Sequence, residues 1–231
     1  MPAEPNHRDD RAAISPWPAP AGAPVLLFGG SFDPVHPGHV AMARAARDGL
    51  FGDAGHAVFV PAARSPHKGA GPIASGADRV RMLELAIEGD RRAHVWRDEI
   101  ARGDAGEPSY WVDTLRRSRR VAGDCELRFL IGADQVVAFH RWREPDAITA
   151  LAEPAVVLRE PLGTRAALAA ALRAGGQAEY RVERWIGRIV ETPLHAVSST
   201  AVRASLDGPV APRLDASVAA YIRERGLYAR R

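Results

Sequence analysis

Apolar residues along this chain fall into short uninterrupted runs, separated by longer stretches where apolar positions recur at helical spacing. The first run, Val25-Leu26-Leu27-Phe28, has the length of a buried strand and is closed by Gly29 and Gly30. After a loop, Val40-Ala41-Met42-Ala43-Arg44-Ala45-Ala46 has a helix-favouring composition. Further runs predict strands at 57–60, 93–96, 127–131, 155–158 and 187–190. Between them, helices are predicted over 78–88, with Val80, Leu83 and Ile87 on one side, and over 109–120, just after Pro108. An Ala-rich helix over 164–174 is closed by Gly175-Gly176, and a last one over 215–225 has a cap at Asp215 and a stop at Gly226. Strands alternating with helices predict an α/β fold: a doubly wound, mainly parallel sheet covered on both faces, with ligands at the carboxyl ends of the strands.

The regular pattern begins at Pro24, so one domain is expected over 24–231, and the Pro- and Ala-rich residues 1–23 read as a flexible extension. The chain has 231 residues, of which 46% are hydrophobic and 26% charged, the composition of a soluble globular protein with a real core. No apolar run approaches the ~20 residues of a membrane span, and the N-terminus lacks the apolar centre of a signal peptide, so a cytoplasmic protein without a membrane partner is expected. The formal charge of +3 hints at anionic ligands. The basic pairs Arg91-Arg92, Arg116-Arg117 and Arg119-Arg120 are flanked by apolar residues at regular spacing, which favours solvated faces over a nucleic-acid surface. One cysteine, Cys125, excludes an internal disulfide framework and suits a reducing compartment.

Chemistry concentrates where the first strand ends. Gly29 and Gly30 allow close backbone approach, and His36-Pro37-Gly38-His39 sits where a helix starts, with outward-pointing N–H groups that favour a phosphate. Two histidines three apart can face that anion together, and Gly38 leaves room for it. Far along the chain, Ser198-Ser199-Thr200-Ala201-Val202-Arg203 offers hydroxyls suited to cap a helix and an arginine one turn inside it, whose planar fork can reach an anion.

Residues 29–39 resemble the His-x-Gly-His signature of the nucleotidyltransferase superfamily related to class I aminoacyl-tRNA synthetases, and residues 198–203 resemble its C-terminal half. Five more segments, in order, resemble bacterial nicotinate-nucleotide adenylyltransferases: Ser65-Pro66-His67-Lys68, Pro108-Ser109-Tyr110-Trp111-Val112-Asp113-Thr114-Leu115, Phe129-Leu130-Ile131-Gly132-Ala133-Asp134, Phe139-His140-Arg141-Trp142 and Tyr221-Ile222-Arg223-Glu224-Arg225-Gly226-Leu227-Tyr228. The match runs from about Val25 to Tyr228.

This resemblance implies a Rossmann-like nucleotidyltransferase fold and transfer of the adenylyl group of ATP to nicotinate mononucleotide, with Mg²⁺ carried by the substrate phosphates and no protein metal cage. His36, His39 and Arg203 would be catalytic. Gly29, Gly30, Ser31, Phe32, Gly38, Gly132, Asp134, Ser198, Ser199 and Thr200 would bind ATP, Asp134 through a ribose. Lys68, Ser109, Tyr110, Trp111 and Trp142 would bind the pyridine nucleotide, with Trp142 stacked on its ring and the backbone at Tyr110 and Trp111 receiving its carboxylate. Two departures stand out: Trp111 lies where the family usually has Thr, and Gly103-Asp104-Ala105-Gly106 enlarges the loop before it. Transfer to nicotinamide mononucleotide or another phosphorylated acceptor, and a nucleotide-binding regulatory module without turnover, stay open as alternatives.

Overall fold

The computed structural model describes residues 13–64, 71–103, 108–193, 198–205 and 214–229. Its strands are β1 (Val25–Gly30), β2 (His56–Pro61), β3 (Ala93–Val95), β4 (Leu127–Gly132) and β5 (Glu153–Val157). They form one parallel sheet in the order β3-β2-β1-β4-β5. The helices are α1 (Pro37–Phe51), α2 (Gly76–Ala86), α3 (Asp98–Arg102), α4 (Trp111–Ala122), α5 (Ala133–Ala138), α6 (Pro145–Leu151), α7 (Arg165–Ala174), α8 (Glu179–Ile186), α9 (Ser199–Ser205) and α10 (Ala216–Glu224).

Apolar runs without alternation arise because both sheet faces are covered. Val25 and Leu27 of β1 join a core with Val112 and Leu115 of α4, Ile148 of α6 and Leu168 of α7, whereas Leu26 packs with Ala46 of α1 on the other face. Phe59 of β2 meets Met82 and Leu83 of α2 and Ile222 of α10 on that second face. Strand order reverses at β1, which leaves a crevice between the carboxyl ends of β1 and β4. Helix starts follow side-chain capping: Ser75 accepts from the Asp78 N–H, Thr164 from the Ala167 N–H and Asp215 from the Ser217 N–H.

Three expectations change. Residues 187–190 form no strand: Arg188 and Ile189 donate back to Trp185 and Ile186, completing the end of α8, so only the pairing of Ile189 with Val156 remains. Second, the extension ending at residue 23 does not stay flexible over its second half. The Ser15 N–H donates to Asp98 Oδ1 at 2.9 Å, the Trp96 indole donates to the Ser15 carbonyl at 3.1 Å, and Trp17 packs edge-on against Trp96 at 5.2 Å. Apolar burial of Trp17, Ile14 and Ala19 against the sheet's core overrides the Pro-rich composition. Third, not all basic pairs are solvated. Arg117 is buried and donates twice to Asp98, at 2.7 and 2.9 Å, and Arg119 holds the Leu151 and Cys125 carbonyls. Burial pushes the Asp98 carboxyl up, but the Arg117 hydrogen bonds, the Ser15 N–H and the charges of Arg117 and Arg102 outweigh it and hold the pKa below the ordinary value. Cys125 is buried, which raises its thiol pKa. No helix among the described residues is long and apolar enough to cross a membrane.

Candidate active site

The loop from β1 to α1 is fastened from several directions. Asp33 is buried, and its carboxylate accepts from the N–H groups of Ile73 at 2.8 Å and Ala74 at 3.1 Å and from the Tyr228 hydroxyl at 2.7 Å. Burial and the hydrogen bond to Asp33 raise the Tyr228 pKa, so this hydroxyl stays a donor. Arg79 of α2, also buried, donates to the carbonyls of Ser31 at 2.8 Å and Ala62 at 2.7 Å. Phe32 has φ of +47°, a conformation costly for a residue with a Cβ. Its ring is held in an aromatic cluster with Phe28 and His39 at 5.2 Å and Phe59 at 5.7 Å. The expectation that Phe32 binds ATP is thereby limited to its backbone, because the side chain is buried under the loop.

His36 and His39 open α1. Their rings stack with centroids 3.7 Å apart, and the His36 N–H donates to His39 Nδ1 at 3.2 Å. His36 is buried and His39 half-buried. Gly38 is buried between them. The pair therefore stands at a helix N-terminus, where backbone N–H groups point at an incoming anion.

Helix α9 brings the far motif to this loop. The Ser199 hydroxyl donates to the Pro34 carbonyl at 2.9 Å, and the Arg203 guanidinium donates to the Asp33 carbonyl and to Thr200 Oγ1, the latter at 3.2 Å. Ser198 caps the helix, accepting from the Ala201 N–H at 3.1 Å. The two predicted phosphate-binding motifs are thus brought together on residues 33–34.

On the β4 side, Asp134 stands at the start of α5 with its carboxylate bridged by Arg159, both bonds at 2.6 Å, and touched by the Gln135 amide at 2.9 Å. Burial pushes this carboxyl up, while Arg159 and Gln135 hold it below the ordinary range. A Cβ on Gly132 would lie 2.7 Å from Asp134 Oδ1 and 2.9 Å from Arg159 Nε, so glycine is required for this pairing. Arg159, one of the groups sequence reasoning missed, was marked only by its place just beyond the carboxyl end of β5.

The start of α4 reaches β1 through Trp111. A Cβ on Gly29 would sit 2.6 Å from Trp111 Cζ3, so the indole lies directly against the glycine backbone, and the ring also leans on Phe129 at 6.0 Å. Trp111 Nε1 is buried with no hydrogen-bond partner among the described residues. Tyr110 lies under the Arg143 guanidinium at 4.8 Å. Trp142 packs on Phe139 at 5.2 Å and, like Tyr110 and Trp111, borders the core on the α4 face. Ser109 turns inward: its N–H donates to the Arg64 carbonyl at 2.9 Å, and its hydroxyl bonds the buried Glu99. Lys68, with the rest of its segment, and residues 104–107 of the enlarged loop lie outside the described residues. Among the described residues, no group of three or more His, Cys, Asp or Glu side chains is placed to hold a metal ion.

The cytidylyltransferase-like family model matches residues 27–205. A curated protein of Chromobacterium violaceum named "Probable nicotinate-nucleotide adenylyltransferase" is 40% identical over 89% of this chain and 99% of its own length. One of the same name from Marinobacter nauticus is 35% identical over 89% and 97%. Among solved structures, Plasmodium falciparum nicotinic acid mononucleotide adenylyltransferase complexed with NaAD superposes with a TM-score of 0.65 at 14% identity, covering 89% of this chain and 97% of that one, which supports the fold. The chain belongs to the cytidylyltransferase-like proteins and, within them, to the nicotinate-nucleotide adenylyltransferase family.

Proposed function

We propose that this enzyme transfers the adenylyl group of ATP to nicotinate mononucleotide, releasing pyrophosphate and forming nicotinate adenine dinucleotide in NAD biosynthesis. The observation that carries the reading is the meeting of α9 with the β1–α1 loop, which sets Arg203 and the stacked His36 and His39 on one loop at the carboxyl end of β1. A phosphate oxygen of the mononucleotide attacks the α-phosphorus of ATP. The bond from that phosphorus to the oxygen bridging to the β-phosphorus breaks, and its electron pair leaves with pyrophosphate.

The nucleophile is already an anion, so the chain supplies neither a base to create it nor a covalent intermediate. Its work is alignment of two mutually repelling anions and stabilisation of charge on the leaving group. In this reading His39, His36 and the start of α1 hold the ATP phosphates from one side, and Ser199, Thr200 and Arg203 hold them from the other. Asp134 accepts from ribose hydroxyls beside Arg159, the start of α4 takes the acceptor's carboxylate, and Trp142 flanks its ring. Mg²⁺ enters as part of the nucleotide substrate. The site suits an ion held by phosphate oxygens and water, because the carboxylate of the β1–α1 loop, Asp33, is engaged by two N–H groups and a hydroxyl.

The test is pyrophosphate release from MgATP with nicotinate mononucleotide, nicotinamide mononucleotide and phosphopantetheine offered separately. Turnover with the first, well above the other two, is expected. Equal rates with the acid and the amide would refute the acceptor assignment, and no release with any of them would refute the enzyme.

A further inference from the structure

Two hydroxyls of the segment that precedes and opens α4 converge on one buried carboxyl. Thr114 Oγ1 donates to Glu99 Oε1 at 2.5 Å, and Ser109 makes a side-chain hydrogen bond to the same Glu99 from the other end of the segment. Arg102 completes the arrangement: its Nη2 donates to Thr114 Oγ1 at 3.1 Å, and its Nε lies 3.2 Å from Asp98 Oδ2. Glu99 and Thr114 are both buried, at 3% and 0% exposure, so the Thr114 hydroxyl cannot exchange this partner for water without opening the α3–α4 contact. Between the two anchored hydroxyls stand Tyr110 and Trp111, the residues whose backbone starts α4 and whose indole lies against Gly29. Burial pushes the Glu99 pKa up, opposed by Thr114, by the Arg102 charge and by Ser109.

We propose that Glu99 is a positioning residue for the acceptor: by clamping Ser109 and Thr114 it fixes the backbone at Tyr110 and Trp111 in the orientation that receives the pyridine nucleotide. The inference rests on the acceptor reading above and assigns Ser109 and Thr114 to anchoring the loop from behind rather than to the ligand. A wrongly oriented binding segment loses affinity for the group it holds, and a displacement of about 1 Å can cost as much as about 10²-fold. The ATP phosphates are held by α1 and α9, which Glu99 does not touch in any contact described above.

Kinetics on the full chain test this, with separate KM values for nicotinate mononucleotide and MgATP, kcat, and melting temperature for wild type, Glu99→Ala, Glu99→Gln and the double variant Ser109→Ala/Thr114→Val. Wild-type turnover with nicotinate mononucleotide reports on the acceptor reading alone; the variants report on Glu99. The expected result for Glu99→Ala is a rise of about tenfold or more in acceptor KM with MgATP KM within about twofold of wild type. Glu99→Gln, which keeps an acceptor oxygen of the same reach, restores most of the affinity. The double hydroxyl variant reproduces the Glu99→Ala phenotype, and adding Glu99→Ala to it changes acceptor KM little further. A fall in melting temperature with both KM values unchanged, or an equal rise in both, would overturn the proposal. If Glu99→Ala does not fold, the Ser109→Ala/Thr114→Val double variant decides it by the same KM split.

Discussion

The guanidinium of Arg203 donates to the backbone carbonyl of Asp33, 170 residues earlier in the chain. With the Ser199 bond to Pro34, this joins the first strand's loop to a helix near the C-terminus and closes a phosphate site from both ends of the domain. Replacing Arg203 by Lys keeps the charge but loses the planar fork that can hold a backbone carbonyl, Thr200 and a phosphate together. We expect Arg203→Lys to lower kcat by about 10²-fold with a melting temperature near wild type. Normal turnover in that variant would remove Arg203 from the catalytic set.

His39 stands half-exposed at the start of α1, stacked on His36. Losing one preorganised donor costs on the order of 10²–10³ in kcat, or roughly 3–4 kcal/mol. His39→Ala should show that loss under saturating substrates while unfolding as cooperatively as wild type. Near-normal kcat in a folded variant would show that the helix start alone handles the phosphates.

Gly29 and Trp111 form a pair whose sizes are matched. A methyl at position 29 would stand 2.6 Å from the indole, so Gly29→Ala should destabilise by about 1–3 kcal/mol through overpacking. Trp111→Thr empties that space, and the double variant Gly29→Ala/Trp111→Thr should recover most of the stability lost in Gly29→Ala. Additive losses in the thermal melts would mean that the two residues do not press on each other.

At the opposite end of the sheet, His56 Nδ1 and His94 Nε2 approach to 2.9 Å with stacked rings. Burial lowers both pKa values from 6.5; Arg47 and Arg92 add to this for His56, and His56 and Arg47 for His94. A folded pKa below the unfolded one means that the unfolded chain binds the proton more tightly. Their contribution is therefore complete above about pH 6.5 and is lost as pH falls through the lowered folded values. Melting temperatures taken from pH 7.5 down to 5.5 should fall, and His94→Asn should flatten that slope. An unchanged slope would assign the acid sensitivity to other groups.

Trp17 and Trp96 meet edge-on, with Ser15 bonded to both Asp98 and Trp96. Trp17→Ala should lower stability by about 1–3 kcal/mol, read as a shift in denaturant midpoint. No shift would mean that residues 13–17 lie on the domain without stabilising it.

How much of this was legible in the sequence follows from the range of the forces involved. Val25-Leu26-Leu27-Phe28 reads as a strand because both sheet faces are buried, and the glycines after it mark the loop, so β1, β2, β4 and the helices that follow β1 and β2 were placed from local pattern alone, whereas the short α5 after β4 was not. The segment 187–190 carries a similar apolar pattern, but α8's closing turns claim two of its N–H groups, a competition that pattern does not reveal. Trp17 was the one signal that the Pro-rich start packs, since a large apolar ring gains by burial whatever its neighbours are. Glu99 was invisible for the opposite reason: in the run Arg97-Asp98-Glu99 it looks like a solvated charge, and only the fold sets it beneath Ser109 and Thr114. Asp134 was singled out for the ribose, but its bidentate partner Arg159 is 25 positions away and required the β4–β5 pairing to find.

The most direct test of the central claim follows ATP carrying a label at the α-phosphorus through a single turnover with nicotinate mononucleotide and Mg²⁺. Direct transfer predicts that the label appears in nicotinate adenine dinucleotide, one pyrophosphate is released for each dinucleotide formed, and no label remains on the protein. Label trapped on the protein, or pyrophosphate released without dinucleotide, would contradict it.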